Sequence, residues 1–432
     1  MSETSNRREF LRRHMAASLG AAPDVRPLRV GFVGVGDRGS YHMDVCLGID
    51  GVEVPALCDI NPWYLNRAKT WVEEAGKPTP DLYGAGKTDF LRLCARDDLD
   101  LVVCATSWEW HAPVCIAAMK AGKHAITEVP AAIQLDECWE LVETSEATGK
   151  QCIMLEQANY SRAGMQLLNM AQQGVFGDLL HAAGGYVHDL RLVKYDPERE
   201  PWRLQHSIDQ NGCLYPTHQV GPICWWLDIN RGDRFEYLVS MSTKAMTLND
   251  YADLHYGDKS PYASMMMAQG DVNTTLLRTA NGRTVTLYFD TNTPHPHTAE
   301  MRLQGTKGHM SGELQSVYIE GRSPTLHKWE PLADYQREFD HPIWRNLDPS
   351  RYKSARGHGG GVTTPLMWSR IVHALMHGQP ADENVYDAAT WSSIVALTER
   401  SVAVKSRPIG FPDLTRGKWK NTPSINLEPL AG

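Results

Sequence analysis

No apolar stretch in the sequence approaches the roughly 18–20 residues that a membrane-crossing helix needs, so no spanning segment is expected. Basic residues are not in excess: 43 Lys and Arg stand against 51 Asp and Glu, a formal net charge of −8. Surfaces that bind nucleic-acid phosphates are basic, so this balance points away from such partners. No Cys-x-x-Cys pair occurs. Cys46, Cys58, Cys94, Cys104, Cys115, Cys138, Cys152, Cys213 and Cys224 are odd in number and scattered, which indicates neither a disulfide framework nor a zinc site. His255 and Asp258 are near each other but lack metal-ligand spacing, and no metal is expected. Internal repeats and low-complexity tracts are also missing.

What remains is ordinary globular composition, 42% apolar and 22% charged, in a chain of 432 residues, long enough for two or three domains. Tryptophan is abundant, with 13 copies; most should be core, but sugar-binding clefts also use flat aromatic faces. At the N-terminus, Asn6-Arg7-Arg8-Glu9-Phe10-Leu11-Arg12 matches the twin-arginine export pattern, followed by a short apolar region, Met15 to Ala22. The expectation is a periplasmic or secreted protein; the alternative is a cytoplasmic one with a basic leader. Residues 1–26 are set aside as leader.

From residue 27 to 158 strands and helices alternate. Leu28–Val33, Val52–Cys58, Leu99–Ala105, His124–Glu128 and Gln151–Leu155 read as buried strands. Helical segments lie between them at Ser40–Leu47, Trp63–Ala75, Pro113–Ala121 and Leu135–Thr148. This alternation predicts an α/β domain with a doubly wound parallel sheet. The pattern changes in residues 159–432. A helix (Gly164–Gln173) precedes extended segments at Leu179–Val187, Tyr237–Thr243, Glu300–Leu303 and Ser316–Glu320, and a hairpin, Thr274–Thr279 and Thr284–Phe289, turns at Asn281-Gly282. Late helices are expected at Trp368–His377 and Tyr386–Ala403. The second domain is therefore α+β, with a largely antiparallel, open sheet and helices on one face.

The first strand closes on Gly34-Val35-Gly36-Asp37-Arg38-Gly39 and opens a helix. A lone G-x-G-x-x-G is weak, but in this context it is the dinucleotide fingerprint. Gly34 and Gly36 permit the tight turn and the approach of the pyrophosphate, and Gly39 permits helix–strand packing. Asp59, 20 residues after Gly39, ends the second strand, where a carboxylate accepts ribose hydroxyls and repels a 2′-phosphate. The expected cofactor is NAD.

The order of motifs is similar to the Gfo/Idh/MocA oxidoreductase superfamily. Its sugar dehydrogenases carry Glu-Lys-Pro with a catalytic lysine; here the triplet is Glu128-Val129-Pro130, and valine transfers no proton. The closer resemblance is to the family-109 glycoside hydrolases, NAD-dependent α-N-acetylgalactosaminidases. It rests on the leader, Trp108-Glu109-Trp110-His111, Glu128-Val129-Pro130-Ala131, Met154-Leu155-Glu156, Gly184-Gly185-Tyr186, Trp202-Arg203, Asn211-Gly212-Cys213-Leu214-Tyr215-Pro216-Thr217-His218, Gly305-Thr306-Lys307-Gly308, Tyr386-Asp387-Ala388-Ala389 and the stretch Asp413 to Trp419.

The resemblance implies that Asp37, Arg38, Asp59, Trp108, His111, Glu128, Val129, Gln157 and His218 line NAD. It implies that Tyr186 and Arg203 hold the sugar, and that Tyr215 and His218 sit between sugar and nicotinamide. Three departures bear on the substrate and cofactor: Gln157 where the family has Asn, His297 where it has a sugar-binding Tyr, and His358-Gly359-Gly360-Gly361-Val362 for His-Gly-Gly-Met-Asp. The implied reaction is hydrolysis by oxidation at C3 of the sugar, elimination, water addition and reduction, an exception to two-carboxylate glycosidases. Such a route needs a group titrating near neutrality. His218 is the best candidate for it, with Tyr215 and Glu156 as further acid/base candidates. The alternative reading is an NAD-dependent sugar dehydrogenase. His188, His206, His255 and His358 read as structural or surface residues. An open antiparallel sheet in this superfamily commonly packs against a second subunit, so a homo-oligomer is expected.

Overall fold

The computed structural model describes residues 26–349, 355–356 and 361–430. The leader and His358 lie outside the described residues. Among them, two sheets share one continuous apolar core.

The first sheet is parallel throughout, in the order β3-β2-β1-β4-β5-β6. Its strands are β1 (Leu28–Val33), β2 (Val52–Cys58), β3 (Asp81–Tyr83), β4 (Leu101–Cys104), β5 (His124–Thr127) and β6 (Cys152–Met154). Flanking them are α1 (Asp37–Leu47), α2 (Pro62–Glu74), α3 (Phe90–Cys94), α4 (His111–Lys120) and α5 (Leu135–Thr148). The order reverses beside β1, so the connections leaving the carboxyl ends of the paired strands β1 and β4 part and leave a crevice, the place where doubly wound sheets bind ligands. Every residue of β4 is buried, as expected for a strand covered by helices on both faces.

The second sheet is reached through α6 (Arg162–Gln172). Its order is β14-β13-β12-β11-β7-β10-β9-β8-β15. The strands are β7 (Leu179–Val187), β8 (Phe235–Ser242), β9 (Asn273–Thr279), β10 (Thr284–Asp290), β11 (Arg302–Gly305), β12 (Gly308–Ser311), β13 (Ser316–Ile319), β14 (Glu330–Pro331) and β15 (Ile409–Gly410). All pairs are antiparallel except β7 with β10. Between β7 and β8 come α7 (Arg191–Tyr195), α8 (Trp202–Asp209) and α9 (Thr217–Trp226), and α10 (Thr247–Tyr256) follows β8. The late helices are α11 (Thr363–Met376) and α12 (Val385–Ala403). Helix α12 packs on α5 and β6 of the first sheet and on β8 of the second, and so ties the two together.

Several boundaries differ from the sequence reading. Helix α1 starts at Asp37, not Ser40, so Asp37, Arg38 and Gly39 form its first turn. Helix α4 starts at His111, after a 3₁₀ turn at Trp108–Trp110, because Pro113 is accommodated in a first helical turn. Strand β11 starts at Arg302 and β8 at Phe235.

Candidate active site

The crevice above β1 has the features of a dinucleotide cradle. A Cβ at Gly39 would fall 1.9 Å from the Gly34 carbonyl oxygen, so only glycine lets α1 lie this close to β1. Gly36 caps α1 without any side-chain hydrogen bond to the first turn, which leaves those amides to an anion. Asp59 accepts from the Val35 amide through Oδ2 and from the Asn61 amide through Oδ1, both at 2.8 Å. Burial raises the Asp59 pKa, opposed by those amides and by Arg67. Arg67, which the sequence reading did not single out, donates from Nη2 to the carbonyls of Val35 (3.2 Å) and Gly36 (2.8 Å) and to Ser40 Oγ (2.9 Å). Its guanidinium lies on the rings of Trp63 and Tyr64, so aromatic contacts from α2 fix the Gly-rich loop.

Glu128, at the end of β5, is buried and accepts from Arg38 Nε (2.9 Å), His42 Nε2 (2.5 Å) and the Val129 amide (3.1 Å). Trp368 Nε1 donates to His42 Nδ1 at 2.9 Å, which fixes the imidazole as the tautomer that donates from Nε2. Burial alone would raise the Glu128 pKa, but Arg38 and His42 outweigh it and hold the carboxylate well below its usual range. Glu128 is thus an anchored anion. His111 is buried with Nδ1 2.7 Å from Pro130 O and Nε2 3.0 Å from Thr106 O, so it braces the β4–α4 loop against the Val129–Pro130 segment. Gln157, in the turn after β6, keeps Oε1 without a donor among the described residues.

Next to the crevice, α9 delivers His218 in its first turn, with Tyr215 in the loop before it. His218 Nδ1 lies 2.7 Å from Glu156 Oε1. The Glu156 side chain is fully buried, whereas that of His218 is 21% exposed. Nδ1–H therefore donates to the carboxylate and Nε2 is the atom able to take a proton. Tyr215 stacks on Trp108 (centroids 5.5 Å apart, 23° between planes) and stands edge-on to His218 at 5.0 Å. Tyr186, from β7, lies 4.7 Å from the Tyr215 ring and 5.7 Å from that of His218. Burial holds both phenols above their ordinary pKa, so they donate as neutral hydroxyls.

Arg203, on α8, stacks over Trp202 (4.5 Å), Trp108 (5.1 Å) and Tyr215 (5.3 Å), with Nε paired to Glu200. Burial would lower its pKa, but Glu200 and the two tyrosines keep the guanidinium charged. His297 closes the rim, 6.1 Å from Tyr186 and 5.0 Å from His188. The structure thus brings His218, Glu156, Tyr215, Tyr186, Arg203, Trp108 and His297 together beside the Gly34–Gly39 turn, Arg38 and Glu128.

The comparisons with known proteins agree with the two-domain architecture. Residues 28–156 match the model of the oxidoreductase family with an NAD-binding Rossmann fold, and residues 160–421 match that of the glycosyl hydrolase 109 C-terminal domain. The chain belongs to glycosyl hydrolase family 109. Family members from Shewanella pealeana and Shewanella putrefaciens are 40% and 38% identical to it, each match covering 94% of this chain and 89% of the relative. Among solved structures, levoglucosan dehydrogenase in complex with NADH and levoglucosan superposes with a TM-score of 0.68 at 19% identity, covering 90% of this chain and 100% of that one. The WlbA dehydrogenase from Bordetella pertussis, in complex with NADH and UDP-GlcNAcA, gives 0.64 at 18%, covering 90% and 98%. These likenesses show the Gfo/Idh/MocA fold. The cofactor of the N-terminal domain is NAD.

Two histidines that the sequence reading set aside belong to this cluster. His206 lies against Trp108, centroids 4.9 Å apart, and His188 meets both His297 and Tyr186. His206 sits one turn after Arg203 on α8, a spacing that could have flagged it once Arg203 was chosen. Lys194, on α7, was also missed. It is buried and donates only to neutral oxygens: Ser207 Oγ (3.0 Å), Thr291 Oγ1 (2.9 Å) and Asn292 Oδ1 (2.6 Å). Among the described residues, no group of three His, Cys, Asp or Glu is arranged to hold a metal ion.

Proposed function

We propose that this family-109 protein is an exo-acting glycosidase for N-acetylgalactosaminides that hydrolyses its substrate without net oxidation or reduction. The observation that carries the reading is the His218–Glu156 pair beside the NAD crevice. Glu128 is bound by Arg38 and His42, Glu156 is buried behind His218, and Glu200 is paired with Arg203. A conventional glycosidase needs two carboxylates free to act on the scissile bond, and these three are committed to other partners.

Bound NAD supplies a hydride acceptor and donor for a sugar carbon. The chain holds it with the Gly34–Gly39 turn, the α1 amides and Asp59, while Arg38 and Glu128 border it. His218 Nε2 takes the proton next to the oxidised carbon, and Glu156 stabilises the imidazolium that forms. Tyr186 and Tyr215 donate to sugar oxygens as neutral phenols, and Arg203, stacked on Trp108, binds hydroxyl or acetamido oxygens. His297 borders the same pocket.

The rival is a sugar dehydrogenase of the same superfamily. Val129, 1% exposed, has no proton to give where those enzymes are expected to use lysine. Purified protein incubated with aryl N-acetylgalactosaminides of both anomers should release the aglycone without stoichiometric NADH. NADH accumulation without cleavage would sink the reading. In D₂O the product should carry deuterium at C2.

We further propose export through the twin-arginine pattern Arg7-Arg8, and self-association through the open face of the second sheet. That face presents Tyr237, Met241, Leu276 and Tyr288, all exposed. Sedimentation equilibrium and cell fractionation test these two points.

A further inference from the structure

Behind the His218–Glu156 pair lies a second carboxyl that the proposed chemistry does not use. Glu383 immediately precedes the cap of α12 and is 2% exposed. Its Oε1 accepts from Asn159 Nδ2 at 2.9 Å. Asn159 stands three residues after Glu156, in the same turn. Helix α9 presses on this group at Gly221, where a Cβ would fall 2.6 Å from Asn159 Oδ1 and 2.8 Å from Glu156 Cγ.

The neighbourhood is short of hydrogen-bond donors. Glu156 Oε2, Asn159 Oδ1 and Glu383 Oε2 are all buried acceptors that meet no donor among the described residues. It is also short of positive charge at one position only. Asp382 is paired with Arg370, Asp387 with Arg231 at 2.6 Å, and Glu156 with His218. Tyr160 donates to Asp382. Arg231 is the cation whose field reaches Glu383, but its hydrogen bonds go to Asp387 and to the Asp382 carbonyl. Among the described residues, Asn159 is the hydrogen-bond partner of Glu383. Were Glu156 and Glu383 both ionised in such a site, each would be desolvated and the two would repel one another. A proton on Glu383 removes both costs at that position, since a neutral carboxyl has no charge to desolvate or to repel Glu156.

We propose that Glu383 is a proton-holding positioning residue: it stays protonated behind Asn159 and Glu156, so that a single carboxylate, that of Glu156, stands behind His218. Burial raises the Glu383 pKa well above the carboxylate range, with Glu156 and Asp387 adding to the effect. The consequence falls on His218. A second negative charge behind Glu156 would stabilise the imidazolium and keep Nε2 protonated, so the base would be unavailable. With Glu383 neutral, one carboxylate orients the imidazole and Nε2 remains free. Tyr186, Tyr215 and His297 face His218 from the crevice side and add no anion there, because both phenols stay protonated. The link to turnover rests on the glycosidase reading; the proton on Glu383 does not.

Infrared spectroscopy of the resting, NAD-loaded wild-type chain in D₂O at neutral pD tests the proton directly. A protonated-carboxyl C=O stretch is expected, and Glu383→Gln should abolish it. Absence of the band in the wild type, or its survival in Glu383→Gln, overturns the proposal. The pH profile of kcat/KM tests the link to His218. Glu383→Gln fixes this position as neutral at every pH, so the acid limb of the profile should stay where it is in the wild type. An acid limb displaced to lower pH in Glu383→Gln would mean that the wild type carries a second negative charge behind Glu156, and would overturn that link. Should Glu383→Gln not fold, the wild-type band and its disappearance on alkaline titration decide the matter alone.

Discussion

His218 Nδ1 and Glu156 Oε1 face each other at 2.7 Å, the imidazole partly exposed and the carboxylate fully buried. On the proposed glycosidase reading, the carboxylate that fixes the tautomer would also stabilise the imidazolium formed when Nε2 takes a proton. Glu156→Gln keeps the shape and loses the charge. Turnover should fall by about 10²–10⁴-fold, the usual worth of a positioned acid or base, while NADH affinity stays near wild type. Tryptophan fluorescence quenched by NADH measures the second quantity. Loss of binding together with turnover would make Glu156 a fold residue.

Arg203 lies on three aromatic faces, Trp202, Trp108 and Tyr215, with Nε on Glu200. A planar guanidinium fits that slot and an ammonium does not. Arg203→Lys keeps the charge yet should raise KM by about 10-fold or more, equivalent to about 1.4 kcal/mol, with a smaller change in kcat. Equal losses in kcat and kcat/KM would move Arg203 from ground-state binding to the transition state.

The parts of this architecture that the sequence made legible are those with a local signal. Strands β1, β2, β4, β5 and β6 are buried by helices on both sides and read as apolar runs. Strand β3 escaped notice because it has three residues, none of them buried. Helix α9, which carries His218, has no polar face to give a period: nine of its ten residues are buried, and Pro222 sits inside it. The Gly34–Gly39 turn, Asp59 and the Tyr215–His218 segment could be picked out because each is a short motif. Glu383 could not, because its contact with Asn159 spans 224 residues. His188 and His206 looked structural for the same reason: their partners Tyr186, His297 and Trp108 come from other elements.

Asp59 uses both carboxylate oxygens on the Val35 and Asn61 amides, holding its charge at the mouth of the crevice. A 2′-phosphate approaching it meets an anion. Asp59→Ser should weaken NAD while improving NADP, so that the ratio of their dissociation constants shifts by about 10–100-fold, the equivalent of about 1.4–2.8 kcal/mol. Titration calorimetry with both cofactors reads the ratio. An unchanged ratio would place the ribose selectivity elsewhere, with Arg67 the first residue to examine.

Lys194 is buried beside Arg203 in the substrate domain, and burial, with Arg203, lowers its pKa from 10.5 to about 7, against the pull of Asp290, Asp271 and Asp189. Unfolded, the amine keeps its proton up to about pH 10.5; folded, it releases it near 7. Between these values the unfolded chain binds more protons, so stability rises with pH. The contribution of Lys194 is complete above the unfolded value and is lost as pH falls toward the folded one. Lys194→Met removes the titration and strands the Asn292 oxygen, a cost that does not depend on pH. The stability of the wild type relative to this variant should therefore climb between pH 7 and 10, by at most about 1.4 kcal/mol per pH unit. Urea unfolding of both proteins at pH 7, 8 and 9 measures the climb. Parallel stability curves would mean that Lys194 keeps an ordinary lysine pKa, with its three oxygen acceptors and Asp290 solvating the ammonium in full.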